Sequence, residues 1–193
     1  MRIIAGSRRG RRISAPTGRG TRPTSDRVRE AVFDMLTARL GSDLGGGAVL
    51  DAFAGSGALG LEALSRGAGP ALFLETDRKA LKVLRANLVE LGLQPRAQVL
   101  AADVFKLAAA NALPAGPFSL LFADPPYRID AARVGELFAA MARAKAVERD
   151  AWAVYEHDAG ARIAWPEPFT EVGRRVYGST AVSIATIEPG EGL

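Results

Sequence analysis

The sequence predicts an α/β fold with a mostly parallel sheet, on three observations. From residue 48 onward, short apolar runs alternate with helical patterns, the rhythm of strand-helix-strand units. A glycine-rich turn, Gly55-Ser56-Gly57-Ala58-Leu59-Gly60, directly follows the first of these runs. Acidic residues stand at the carboxyl ends of three successive runs: Asp51, Glu75 and Asp103.

The elements follow in order. Arg2 to Ala5 and Arg11 to Ala15 read as two short β-like runs joined by Gly6-Ser7-Arg8-Arg9-Gly10, a small basic hairpin. After a Gly/Pro/Thr-rich loop, Ser25 is placed to cap a helix with Asp26 in its first turn. Val28, Ala31, Val32, Met35, Leu36 and Leu40 recur at helical spacing and give that helix one buried face, which should dock on the main domain. Gly45-Gly46-Gly47 ends this leading section. The candidate strands are then Ala48 to Asp51, Ala71 to Glu75, Ala97 to Ala101, Phe118 to Asp124 and Trp152 to Glu156. Between them lie helical stretches at Ala58 to Arg66, Arg78 to Leu91, a short segment after Asp103, and Ala131 to Ala144. Glu171 to Tyr177 and Ala181 to Ile187, separated by Gly178-Ser179-Thr180, form an antiparallel pair at the sheet edge. The domain division read from this is a basic hairpin and loop at 1–24, an appendage, and an α/β domain at 25–193.

Composition narrows the function classes. The 193 residues are 48% hydrophobic and 24% charged, which excludes a disordered chain. Apolar stretches such as Ala71 to Leu74 and Phe118 to Ala123 fall far short of the roughly 20 residues that span a bilayer. The N-terminus turns basic at once and has no long apolar run, so it does not read as a secretory signal, and the expected location is cytoplasmic. The absence of cysteine excludes disulfides and thiolate nucleophiles, and one histidine argues against a zinc site, so no metal is expected. Charge is unevenly divided. Residues 1 to 30 hold nine arginines against two acids, whereas the remainder of the chain is slightly acidic. A basic arm on an acidic body points to a polyanionic partner, although arginine is also abundant throughout, with 21 Arg against 4 Lys.

Gly55, Gly57 and Gly60 let the backbone turn tightly and approach a ligand at the point where a parallel sheet reverses its strand order, so a nucleotide-like cofactor belongs there. Phe53 lies in the same turn. Glu75 can accept hydrogen bonds from ribose hydroxyls, and Asp103 from an adenine amino group, although a helix cap is the plainer reading of Asp103 alone. NAD and S-adenosylmethionine both present adenosine. Asp51 leans toward the second: a carboxylate would repel a pyrophosphate but attract the ammonium and sulfonium of the methyl donor.

The apolar run Phe118 to Ala123 ends in Asp124-Pro125-Pro126-Tyr127. Two prolines stiffen the backbone and remove two N–H donors, leaving the Asp124 carboxylate and the Pro125 carbonyl as fixed acceptors beside an aromatic ring. Such a cluster suits the exocyclic amino group of a base, with Tyr127 stacking on its ring. Accepting both amino hydrogens favours the pyramidal geometry in which the nitrogen lone pair attacks a methyl group, and Asp124 can receive the departing proton directly or through water. Adenine N6, cytosine N4 and guanine N2 would be served equally.

Taken together, these residues resemble the RsmD family of 16S ribosomal RNA guanine-N2 methyltransferases, within the Rossmann-like methyltransferases that use S-adenosylmethionine. The resemblance rests on Met1 to Gly6 and the basic run after it, on Arg22 to Glu30, on Asp51 to Glu62 and Glu75, on Asp124 to Tyr127, and on Tyr177 to Thr180. It implies a seven-stranded sheet, cofactor contacts from Asp51, Phe53, Gly55, Gly57, Glu75 and Asp103, and catalysis at Asp124, Pro125, Pro126 and Tyr127. It further implies that Arg22, Pro23 and Thr24 lie near the active site and that the arm grips RNA, through Arg8, Arg9, Arg11 and Arg12. The expected partner is 16S ribosomal RNA, naked or within an assembling small subunit, met by a monomer.

The chain leaves no room for the large extra domain with which DNA amino-methyltransferases extract a base, which favours RNA. A non-catalytic RNA-binding module and an NAD-dependent oxidoreductase are the competing classes. His157, Trp152, Trp165, Arg174 and Arg175 are read as structural or surface residues.

Overall fold

The computed structural model describes residues 1–16 and 26–188. After the basic arm come α1 (Asp26–Leu40), β1 (Val49–Asp51), α2 (Ala58–Ser65), β2 (Ala71–Glu75), α3 (Arg78–Leu91), β3 (Ala97–Ala101) and α4 (Val104–Ala109). They are followed by β4 (Phe118–Ala123), α5 (Ala131–Arg143), β5 (Val147–Asp158), β6 (Phe169–Tyr177) and β7 (Thr180–Ile187). The seven strands form one sheet in the order β3-β2-β1-β4-β5-β7-β6. β1 to β5 run parallel, and β7 enters antiparallel between β5 and β6.

Strand alternation sends side chains to two cores. Val49, Phe73, Phe122 and Val154 face α1, α2 and α3, while Leu50, Leu72, Leu121 and Tyr155 face α5 and α4. Local chemistry fixes the helix ends. Asp77 caps α3 by accepting from the Ala80 N–H at 2.8 Å, Gly92 closes it at φ 63°, and Asp130 caps α5 by accepting from Arg133 N–H at 2.8 Å. No helix among the described residues is long and apolar enough to cross a membrane.

α1 buries Val28, Ala31, Val32, Met35 and Leu36 as its spacing predicts. Leu40 departs from the expectation: it is 38% exposed, because the helix stops there and the chain turns at Gly41 with φ 83°. Phe33 and Arg29 are buried as well, Phe33 against the Phe122 ring at 5.7 Å. The expected cap, Ser25, lies outside the described residues.

The N-terminal hairpin is minimal. One antiparallel bridge joins Arg2 to Arg12, flanked by hydrogen bonds from Ile3 N–H to Arg11 O and from Ile13 N–H to Met1 O. The run does not extend as a ladder because its donors go elsewhere. The N–H groups of Ile4 and Ala5 donate to the two carboxylate oxygens of Glu62, at 2.7 and 2.9 Å, and Arg8 N–H donates to Ser65 Oγ at 3.0 Å. Residues 6 to 8 close a 3-10 turn. Ile3 and Ile13 enter the same core as α1 to α3.

Strand limits differ from the sequence reading at β1, which begins at Val49, at β6, which begins at Phe169, at β7, which begins at Thr180, and at β4 and β5. β4 stops at Ala123, since Pro125 has no N–H to continue the ladder. β5 runs from Val147 to Asp158, past both expected ends: its start is carried back by pairing with β4, Val147 opposite Phe118, and its end by pairing with β7, which reaches Asp158 opposite Thr180.

Candidate active site

A cavity of about 400 Å³ opens at the carboxyl ends of β1 to β5, on either side of the point where the order reverses between β1 and β4. The turn after β1 contributes Ala52, Phe53 and Gly55; β2 contributes Leu74 and Glu75; the start of α4 contributes Asp103 and Phe105. Asp124 to Ile129 line the other side, together with Glu156 of β5 and Arg133 of α5.

Neighbouring strands and acids hold the glycine turn. Ala52 N–H donates to Phe122 O and Ala54 N–H to Leu74 O, so the turn is pinned by β4 and β2 at once. Gly55 N–H donates to Glu75 Oε2 at 2.8 Å, while Glu75 Oε1 accepts from Thr76 and Asp77 N–H. The three glycines serve three different needs. Gly55 has φ 53° and open space where a side chain would begin. Gly57 has φ 81°, and a Cβ there would lie 2.3 Å from Leu84 Cδ1. At Gly60, a Cβ would meet the Phe73 ring at 2.3 Å.

Asp51 and Gly57 do not line the cavity. Asp51 is 1% exposed, beneath the turn, and its Oδ2 accepts from Gly60 N–H at 3.0 Å. Burial pushes its carboxyl up to about 7; the Gly60 hydrogen bond opposes this, and the charges of Asp124 and Glu75 reinforce it. The carboxyl ends of β1, β2 and β4 therefore share a negative field. Asp103 caps α4, accepting from Phe105 N–H at 2.9 Å, while also lining the cavity.

The sequence reading passed over Phe105, Arg133 and Glu156. The Phe105 ring lies 5.7 Å from that of Phe53, and the Arg133 guanidinium sits 4.3 Å above it, so the two phenyl rings and the cation build one wall. Glu156 was within reach of the strand-end rule that selected Glu75, since it closes the fifth expected strand.

The arm arginines lie elsewhere. Arg8 Nε donates to Leu91 O at 2.7 Å, and Arg11 Nη2 donates to Glu90 O at 2.7 Å and pairs with the Glu90 carboxylate at 3.0 Å. Both thus sit at the C-terminal end of α3, where cations complement the helix dipole. Arg9 and Arg12 are exposed on the same arm. None of these arm residues lines the cavity. Arg22, Pro23 and Thr24 lie outside the described residues. His157 is a buried structural group: Nε2 meets Ser183 Oγ at 3.1 Å, its ring stacks on Tyr155, and burial lowers its pKa.

This strand order, with a glycine turn after β1 and Asp-Pro-Pro-Tyr after β4, defines a Rossmann-like methyltransferase. The family profile described as "Conserved hypothetical protein 95" matches residues 1–186. The chain belongs to that family, the RsmD family. It is 37% identical over 187 residues to the "Putative rRNA methyltransferase YlbH" of Bacillus subtilis, covering 95% of this chain and 97% of the relative. It is 41% identical over 128 residues to the Ribosomal RNA small subunit methyltransferase D of Escherichia coli, spanning 66% of this chain and 61% of that protein. Among solved structures, "Putative methyltransferase yhhF from Escherichia coli" superposes with a TM-score of 0.79 at 31% identity, over 98% of both chains.

Proposed function

We propose that this protein transfers a methyl group from S-adenosylmethionine to the exocyclic N2 of a guanine in 16S ribosomal RNA, acting as a cytoplasmic monomer. The single observation that carries the reading is the meeting, in one cavity, of Asp124-Pro125-Pro126-Tyr127 with Gly55, Glu75 and Asp103. The relatives named for ribosomal RNA methylation supply the RNA class.

The residues fit the cofactor. Glu75 and Asp103 offer carboxylate oxygens to ribose and adenine, Phe53 and Phe105 offer an apolar wall, and the field of Asp51, Asp124 and Glu75 suits a cation. When bound, S-adenosylmethionine supplies an electrophilic methyl group on a sulfonium. Asp124 and the Pro125 carbonyl hold the two amino hydrogens, Tyr127, 61% exposed at the cavity mouth, stacks on the base, and Asp124 takes the proton lost when the N–C bond forms.

Labelled S-adenosylmethionine offered in parallel to unmodified small-subunit particles, naked 16S RNA and duplex DNA, followed by nucleoside analysis, tests this. N2-methylguanosine from the RNA samples is the expected product, and Asp124→Ala should abolish it. Label in DNA, or as N6-methyladenosine, would overturn the substrate; RNA binding with no methyl transfer would mark a non-catalytic module.

A further inference from the structure

Asp-Pro-Pro-Tyr alone is indifferent to which amino-bearing base it receives, but the cavity holds a second carboxylate on the same side. β4 and β5 pair in parallel with Phe122 opposite Val154 and Ala123 opposite Tyr155. Continuing that register by one residue sets Asp124 opposite Glu156. Phe122 and Val154 point into the same core, so alternation turns Asp124 and Glu156 to that same face, and both line the cavity. Glu156 is half-buried and belongs to a strand paired on its other side with β7, at Val182, so its backbone is fixed.

Two adjacent acceptors demand two adjacent donors. On the edge of guanine, the N2 amino group has N1–H beside it, a second donor. Adenine presents N1 beside its amino group, and cytosine presents N3, each an acceptor whose lone pair would face a carboxylate. From this geometry we infer that Glu156 is the specificity-determining residue of the site, accepting the N1–H of guanine while Asp124 and Pro125 hold the N2 amino group. The inference rests on the amino-methyltransferase reading above and supplies that reading with a physical reason for guanine. Glu156 takes no part in bond making; it sets which base edge can lie against Asp124.

The test uses the full chain and an RNA fragment spanning the position mapped by nucleoside analysis, carrying either guanine or 2-aminopurine at the target. 2-Aminopurine keeps the 2-amino group but has an unprotonated N1 and lacks O6. The wild type should methylate it roughly 10- to 100-fold less well in kcat/KM, the worth of one hydrogen bond to a charged group. Glu156→Gln, which can donate as well as accept, should shrink that ratio toward one and lower guanine turnover, while S-adenosylmethionine binding by calorimetry stays unchanged. Glu156→Ala, checked for an unaltered melting transition, should likewise lose the discrimination. Should both variants keep the wild-type ratio, Glu156 does not read N1 and the inference is wrong while the methyltransferase reading stands. If the wild type transfers no methyl group to any RNA, the underlying reading itself fails.

Discussion

Asn87 and Ser14 bind each other in both directions: Ser14 N–H donates to Asn87 Oδ1 at 2.8 Å, and Asn87 Nδ2 donates to Ser14 O at 3.0 Å. The same amide also donates to Ser56 O at 2.9 Å, inside the glycine turn. A single buried side chain of α3 thus ties the basic arm to the glycine turn. Asn87→Ala leaves Ser14 N–H, Ser14 O and Ser56 O short of partners and should lower stability by about 2 to 4 kcal/mol in urea titrations. Loosening the turn should also weaken S-adenosylmethionine binding, and an unchanged binding isotherm would show that the arm and the loop are independent.

Gly55 and Gly57 should separate by phenotype. Gly57→Ala places a Cβ against Leu84 at a left-handed φ, so conformational strain of about 1 to 2 kcal/mol is joined by overpacking of about 1 to 3 kcal/mol. Gly55→Ala meets nothing in the protein and should cost only the first of these, yet it narrows the cavity. Denaturation should single out Gly57→Ala, and cofactor titration should single out Gly55→Ala.

Asp51 makes stability and binding depend on pH in opposite senses. Its folded pKa, about 7, stands above the unfolded value near 3.8, so the folded chain holds the proton more tightly. The stability it contributes is fully present below about pH 4, falls as pH rises to about 7, and is level beyond, with a slope of at most about 1.4 kcal/mol per pH unit. A cationic ligand favours the ionised form, so affinity should rise through pH 7 with release of a proton. Asp51→Asn should flatten both profiles, which denaturation at several pH values and calorimetry in buffers of differing ionisation heat would reveal.

RNA affinity should fall with salt, and Arg9→Gln with Arg12→Gln should reduce the logarithmic slope by about 0.7 to 0.9 for each phosphate that is no longer neutralised, without moving the melting transition. Deleting residues 1 to 20 would be a poorer test, because it removes Ile3 and Ile13 from the core. A double variant with the wild-type slope would dismiss the arm as an RNA-binding surface.

The alternating section of the chain was legible because each strand and helix there announces itself locally, through a short apolar run or a helical spacing ended by Asp or Gly. Glu75, Asp103 and Asp124 could be placed for the same reason, as strand ends. Arg29 could not: a charged side chain in an exposed-looking pattern is rarely interior. Yet it is fully buried, donating to Arg2 O and Asp26, with Glu62 Oε2 3.9 Å from its Nε. Its place depends on Glu62, which also takes Arg66 Nε–H at 2.8 Å and the two arm N–H groups, contacts separated by up to 58 residues. Phe105 and Arg133 escaped notice because they meet only when α4 and α5 pack side by side. The length of β5 is likewise set by its pairing with β4 at one end and β7 at the other rather than by its own residues.

The distance from the arginine tip to the cavity turns the molecule into a calliper. If the arm holds RNA, a chain that touches Arg9 at one jaw while a base enters beside Asp124 at the other must bridge the span between them. A free nucleoside can fill only one jaw. On that reading the two jaws together measure a stretch of polymer, and the shape of the RNA around the target enters the choice of substrate along with the target base.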